Sequence, residues 1–96
     1  MIVKQISKQV IDLLSSITIG GLYEHYKGKH YKVIAVSRNV DDLSWWVIYE
    51  ALYHNSVSKI WHRKIEDFVQ VGRWIENQPE RPRFMLVENV SNNYLI

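Results

Sequence analysis

The stretch GLYEHYKGKHYKV, residues 21 to 33, sets Tyr23, His25, Tyr26, His30 and Tyr31 around the tripeptide Lys27-Gly28-Lys29. Rings beside cations are a recognition chemistry, because a ring offers a stacking face and lysine or arginine supplies charge. Trp61 and Arg63 repeat the combination later in the chain. The candidate binding set is therefore Tyr23, His25, Tyr26, Lys27 and Arg63. It would engage a peptide segment or a single-stranded nucleic acid. A His25 titrating near neutrality would make that binding depend on pH between about 6 and 7. Arg63, Glu50 and Arg83 have the charges for a surface ion-pair cluster instead.

Other chemistries are poorly supplied. The four histidines, His25, His30, His54 and His62, match no zinc-binding spacing, so no metal and no cofactor are expected. Cysteine is absent, and Ser37, Ser44, Ser56 and Ser58 lie in no nucleophile-elbow pattern. Asp41-Asp42 and Glu66-Asp67 read as solvated loop and helix-start charges. The expectation is a non-enzymatic binding module.

A chain of 96 residues is one domain with one small core. Its 47% hydrophobic and 23% charged residues are those of a globular protein. The net charge of +2 is uneven: residues 1–40 hold six Lys/Arg against two carboxylates, and residues 41–96 hold six against eight. That falls short of the concentrated basic face of most nucleic-acid binders. With no cysteine, a reducing cytoplasm is the plain expectation. The opening MIVKQISKQVIDLL is broken by Lys4, Lys8 and Asp12, so neither a signal peptide nor a membrane span is expected there.

Val3, Ile6, Val10, Leu13 and Ile17 recur at steps of three and four, which predicts an amphipathic helix over residues 2–17. Gly20-Gly21 should end it. Five strands are expected near 22–27, 30–38, 45–54, 59–63 and 83–88, with Gly28 turning the first hairpin at positive φ. IEDF, residues 65–68, reads as a single helical turn, and ENQPERP, residues 76–82, as an exposed loop. Alternation places Tyr23, His25 and Lys27 on one solvated face of the first strand, and Trp61 with Arg63 on one face of the fourth. Tyr31, Trp45, Tyr49 and Phe84 fit core positions.

Both faces of WWVIYEALY are apolar, so that strand must be covered twice. A mainly β fold would do so: a small SH3-like β-barrel or roll of about five strands with the helix packed outside, against Trp46, Ile48 and Leu52. The expected organisation is a helix over residues 1–19, the barrel domain over 20–88 and a tail over 89–96. The helix stripe is also heptad-like, so the alternative role is a structural or assembly subunit acting through that helix, as a monomer or weak homodimer.

Gly21-x-Tyr23-x-His25-Tyr26-Lys27-Gly28-x-x-Tyr31-x-Val33, Val47-Ile48-Tyr49-x-Ala51-Leu52-Tyr53, Trp61-x-Arg63 and Pro82-Arg83-Phe84 together resemble the bacterial domain of unknown function 1653 family. The resemblance spans residues 20 to about 87 and implies an SH3-type barrel without an established activity. The chain departs from that pattern at Lys64, where relatives commonly carry proline, and at Asp42-Leu43-Ser44.

Overall fold

The structure, a computed structural model, describes residues 7–88. Ser7 opens helix α1 (Lys8–Ser15) by accepting a hydrogen bond from the Val10 amide. Strands β1 (Leu22–His25), β2 (His30–Arg38), β3 (Trp45–Ala51) and β4 (Ile60–Lys64) follow as antiparallel neighbours. Then come the one-turn helix α2 (Ile65–Phe68), the short strands β5 (Val71–Gly72) and β6 (Arg81–Pro82), and β7 (Phe84–Glu88). The main sheet has the order β4-β3-β2-β1-β7, and β5 pairs with β6 in a separate ribbon.

The β1–β2 hairpin turns as the sequence predicts. Gly28 has a φ of 99°, its amide donates to the His25 carbonyl at 2.7 Å, and the His25 amide donates to the Lys29 carbonyl at 2.9 Å. That is a three-residue loop closed by a residue in the left-handed region, which glycine enters without a Cβ penalty.

The sheet curls sharply. In a flat sheet β3 and β7, three strand spacings apart, would be separated by about 14 Å, yet the Tyr49 and Phe84 ring centroids are 5.2 Å apart. Curling does not close it, however. β4 and β7 are its two margins, and among the described residues they do not pair. Of the expected small SH3-like barrel or roll, the described residues form an open, rolled five-stranded sheet. The reason lies in α2, which leaves β4 directly and turns under the inner face, so the chain fills the gap with side chains instead of another paired strand. Ile65 and Phe68, each 1% exposed, point inward from that turn. Phe68 stacks on Phe84 with centroids 4.2 Å apart and planes 5° apart, and meets Tyr23 edge-on at 5.3 Å. Val33, Val47, Tyr49 and Ile17 complete the cluster.

The helix sits elsewhere than expected. α1 begins later and ends earlier than residues 2–17, with Val3 and Ile6 outside the described residues. It does not cover the outer face of β3: Leu13 and Leu14 pack against the inner core. The connection to β1 enforces this placement. The Thr18 amide donates to the Tyr23 hydroxyl at 2.9 Å, and Gly20 and Gly21 bond to Val33 through their backbones, which delivers Ile17 to the core. The outer face is left half-covered, with Leu52 and Ile60 each 48% exposed.

Replacing Phe68 by alanine should cost about 3–5 kcal/mol in urea unfolding, as expected for a fully buried ring. Leu52→Ala on the outer face should cost under about 1 kcal/mol. Equal losses would overturn the placement of Phe68 at the centre of the core.

Candidate functional site

One end of the inner face is filled by Phe68, Ile65 and Val47; the other holds a cavity of about 210 Å³. Every strand of the main sheet contributes to its wall: His25 from β1, Tyr31 from β2, Tyr49 from β3, Trp61 and Arg63 from β4, and Phe84 from β7, with Tyr53 following β3. The strand register explains the convergence. His25 lies opposite Phe84, Tyr31 opposite Ala51, Tyr49 opposite Trp61 and Val47 opposite Arg63, and directly opposed residues share a face.

The rings brace one another. Tyr31 stands edge-on to Tyr49 at 5.2 Å, to Tyr53 at 5.4 Å and to Phe84 at 5.6 Å. The Tyr31 and Tyr53 hydroxyls share a 2.7 Å hydrogen bond. Burial, followed by this bond, pushes the Tyr31 hydroxyl well above its ordinary value, so it stays protonated. Trp61 is tied down through its indole N–H, which donates to the Ser58 carbonyl at 3.1 Å. Such mutual packing makes a preformed wall.

Two nitrogen-bearing groups interrupt the rings. His25 Nδ1 accepts the Lys27 amide at 3.2 Å, leaving Nε2 as the ring's donor when the imidazole is neutral. Burial first, and then the positive charges of Arg63, Lys27, Arg83 and Arg81, lower the His25 pKa from 6.5 to about 4. The expected titration near neutrality is therefore corrected. Opposite, Arg63 Nε is buried and has no hydrogen-bond partner among the described residues. A buried donor left unpaired costs about 1–3 kcal/mol, so this position is defined more by what it lacks than by what it packs.

Of the five residues expected to bind, His25 and Arg63 meet at the cavity. Tyr26 and Lys27 stand beside it in the hairpin turn. Tyr26 lies against His25 at 4.3 Å and stacks on Trp74 at 5.2 Å, and Lys27 Nζ is 5.9 Å from the Tyr26 ring centre. Tyr23 is not at the site: it is 4% exposed and belongs to the core, so the face it shares with His25 is inward and not solvated. Inward alternation from Tyr31, its cross-strand partner, would have placed it there. The suggested cluster of Arg63, Glu50 and Arg83 is absent too. Glu50 pairs with Lys59 at 3.3 Å, while Arg83 bonds the Asp67 carbonyl and Gln70 side chain and covers Trp74 at 4.5 Å. Among the described residues no group of three or more His, Asp or Glu side chains is placed to hold a metal.

Larger hollows lie elsewhere. One of about 530 Å³ follows β3 along Glu50–Asn55 and Lys59; another of about 410 Å³ runs over Ile48, Val57, Ile60 and His62. Both are more open than the ring-walled cavity, and among the described residues neither contains an unpaired buried donor.

Fold and site together define a small, mainly β domain, an open rolled sheet holding a ring-walled cationic cavity on its inner face. A family model described as Protein of unknown function (DUF1653) matches residues 21–86, a range that includes every residue of the cavity wall, and the chain belongs to that family. The crystal structure of a DUF1653 protein from Bordetella bronchiseptica is similar, with a TM-score of 0.69 and 24% sequence identity over 77% of this chain and 91% of that one. At that identity the likeness is one of fold. Comparison with curated proteins gave no match. No helix among the described residues is long and apolar enough to cross a membrane.

The His25 imidazole should titrate near pH 4, followed by its ring carbon resonances. Because the folded value lies below the unfolded 6.5, the unfolded chain takes up a proton first as the solution is acidified. This contribution to stability is complete above pH 6.5 and is lost as the pH falls towards 4. The urea midpoint should drop over that window, and His25→Gln should flatten the drop. A ring midpoint above pH 6 would reject the burial and charge assigned to His25.

Proposed function

We propose that this protein is a non-enzymatic recognition module that takes a side group of a peptide ligand into the ring-walled cavity. The observation that carries the reading is the convergence of side chains from all five strands of the main sheet on one preformed cavity of about 210 Å³. A site held by a rigid sheet suits recognition, because little ordering is left to do on binding. Among the described residues its wall contains no serine, cysteine or carboxylate to pair with His25, which favours binding over bond-making.

A peptide fits better than a single-stranded nucleic acid. Base stacking needs open ring faces along a basic track, but here Tyr49 and Phe84 are 5% and 4% exposed and the rings are spent on one another. The cavity has room for a side chain or a chain end, and a net charge of +2 supplies little of the phosphate-neutralising charge such binding uses. Assembly through the N-terminal helix is disfavoured because Leu13 and Leu14 are turned to the domain's own core.

Titrating the nitrogen-labelled protein with a mixed short-peptide pool should move the backbone amides of His25, Tyr31, Tyr53 and Arg63 ahead of those of Val36 or Ser37. Single-stranded oligonucleotides should leave them in place at about 150 mM salt. If neither ligand class moves those four amides at millimolar concentration, the recognition reading fails.

A further inference from the structure

We propose that the group taken into the cavity is a carboxylate, held by the Arg63 guanidinium and by the His25 imidazole. The inference rests on reading the cavity as the recognition site, and adds to it the chemistry of what enters.

Three observations converge on it. The first is the guanidinium: Arg63 lines the cavity, and its Nε is buried with no partner among the described residues, so the group is poorly hydrated and gains most from a charged acceptor at its outer nitrogens. The second is the donor set. His25 has given its Nδ1 to the Lys27 amide, so its remaining ring nitrogen offers a proton. The Tyr31 and Tyr53 hydroxyls donate one to the other, leaving one hydroxyl proton uncommitted. The third is the sign of the field. The charges acting on His25 are those of Arg63 on β4, Lys27 in the hairpin turn, Arg81 on β6 and Arg83 just before β7, all positive. Of the carboxylates on the neighbouring strands, Glu24 on β1 lies 3.9 Å from His30 and Glu50 on β3 pairs with Lys59. A cation in the manner of a methylated lysine would meet ring walls but also the Arg63 charge, which opposes it.

Between anions, geometry favours the carboxylate over a phosphoryl group. A carboxylate is planar and singly charged, and it matches the side of a guanidinium with two parallel hydrogen bonds. A phosphoryl group brings up to two charges and a tetrahedron of oxygens into a cavity whose other walls are tyrosine, tryptophan and phenylalanine. The source can be a chain terminus or an aspartate or glutamate side chain, and the experiment separates them.

The probes are sodium acetate, sodium phosphate and three short peptides of one apolar sequence: with a free C-terminus, with an amidated C-terminus, and amidated with one internal glutamate. The readouts are the Arg63 Nε–Hε resonance and the His25 ring resonances of the full chain. Acetate should shift both, and phosphate should shift them less. At least one carboxylate-bearing peptide should bind roughly ten- to a hundredfold tighter than the amidated peptide without glutamate, the worth of a charge-assisted pair. The free C-terminus winning identifies a chain end; the glutamate peptide winning identifies a side chain. Arg63→Gln should abolish the preference, and Arg63→Lys, which keeps the charge but not the planar fork, should weaken it, with amide dispersion checking that each variant folds. If all three peptides bind equally at the cavity amides, the carboxylate is rejected while recognition stands. If acetate moves both resonances and no peptide does, recognition of peptides is rejected and the anion site stands. Phosphate outcompeting acetate would overturn the inference in favour of a phosphoryl ligand.

Discussion

The stack of Phe68 on Phe84 is the contact around which the domain is organised. One ring comes from a helical turn of four residues and the other from the last strand of the sheet. Their face-to-face approach joins the end of the β4–α2 segment to the margin formed by β7. Without it, the two margins of an open sheet have no direct hydrogen bonding to hold them near one another. Aromatic pairs contribute about 0.5–1.5 kcal/mol beyond the area they bury. Here that gain accompanies two rings that are 1% and 4% exposed, so the larger share comes from removing them from water.

Core and cavity are two halves of one inner face, and Phe84 belongs to both. Its plane faces Phe68, while His25 meets it edge-on at 4.9 Å and Tyr49 meets it at 5.2 Å. The same curl that buries Val33 and Val47 carries Arg63 on one margin towards His25 near the other. A fully closed barrel of this size fills its interior with side chains. An open roll leaves one end unfilled, and there a buried guanidinium nitrogen finds no acceptor among the described residues.

The local elements were legible in the sequence. Alternation and turn residues locate all five main strands, Gly28 the hairpin, and IEDF the single turn α2. Their assembly was less so, for identifiable reasons. In β3 both faces are apolar, so period two says which residues travel together but not which set is inside. The inner set is Val47, Tyr49 and Ala51, and the outer set remains partly wet. Phe68 sits in an element too short to have a periodicity, and nothing near it in the chain marks it as central. Tyr23 looked like a surface ring because His25 and Lys27 share its alternation, but the turn begins after His25 and breaks that alternation before Lys27. The meeting of His25 with Arg63 depends on sheet curl, which pairwise spacing does not encode. The β5–β6 ribbon, two residues a side, gives no pattern at all.

Among the described residues the unclosed sheet also has two unpaired backbone rims, and they are not alike. The β4 rim carries Lys64 at its end, with Lys59 just before its start and exposed His62 between, a short stretch studded with groups that discourage another strand from docking. The β7 rim presents Met85, Leu86 and Val87 in succession, 42%, 44% and 51% exposed, with β1 as its strand neighbour in the sheet. Unwanted strand-to-strand aggregation at high concentration would thus begin at β7, and a single lysine introduced at Val87 is where solubility would be gained without touching the cavity.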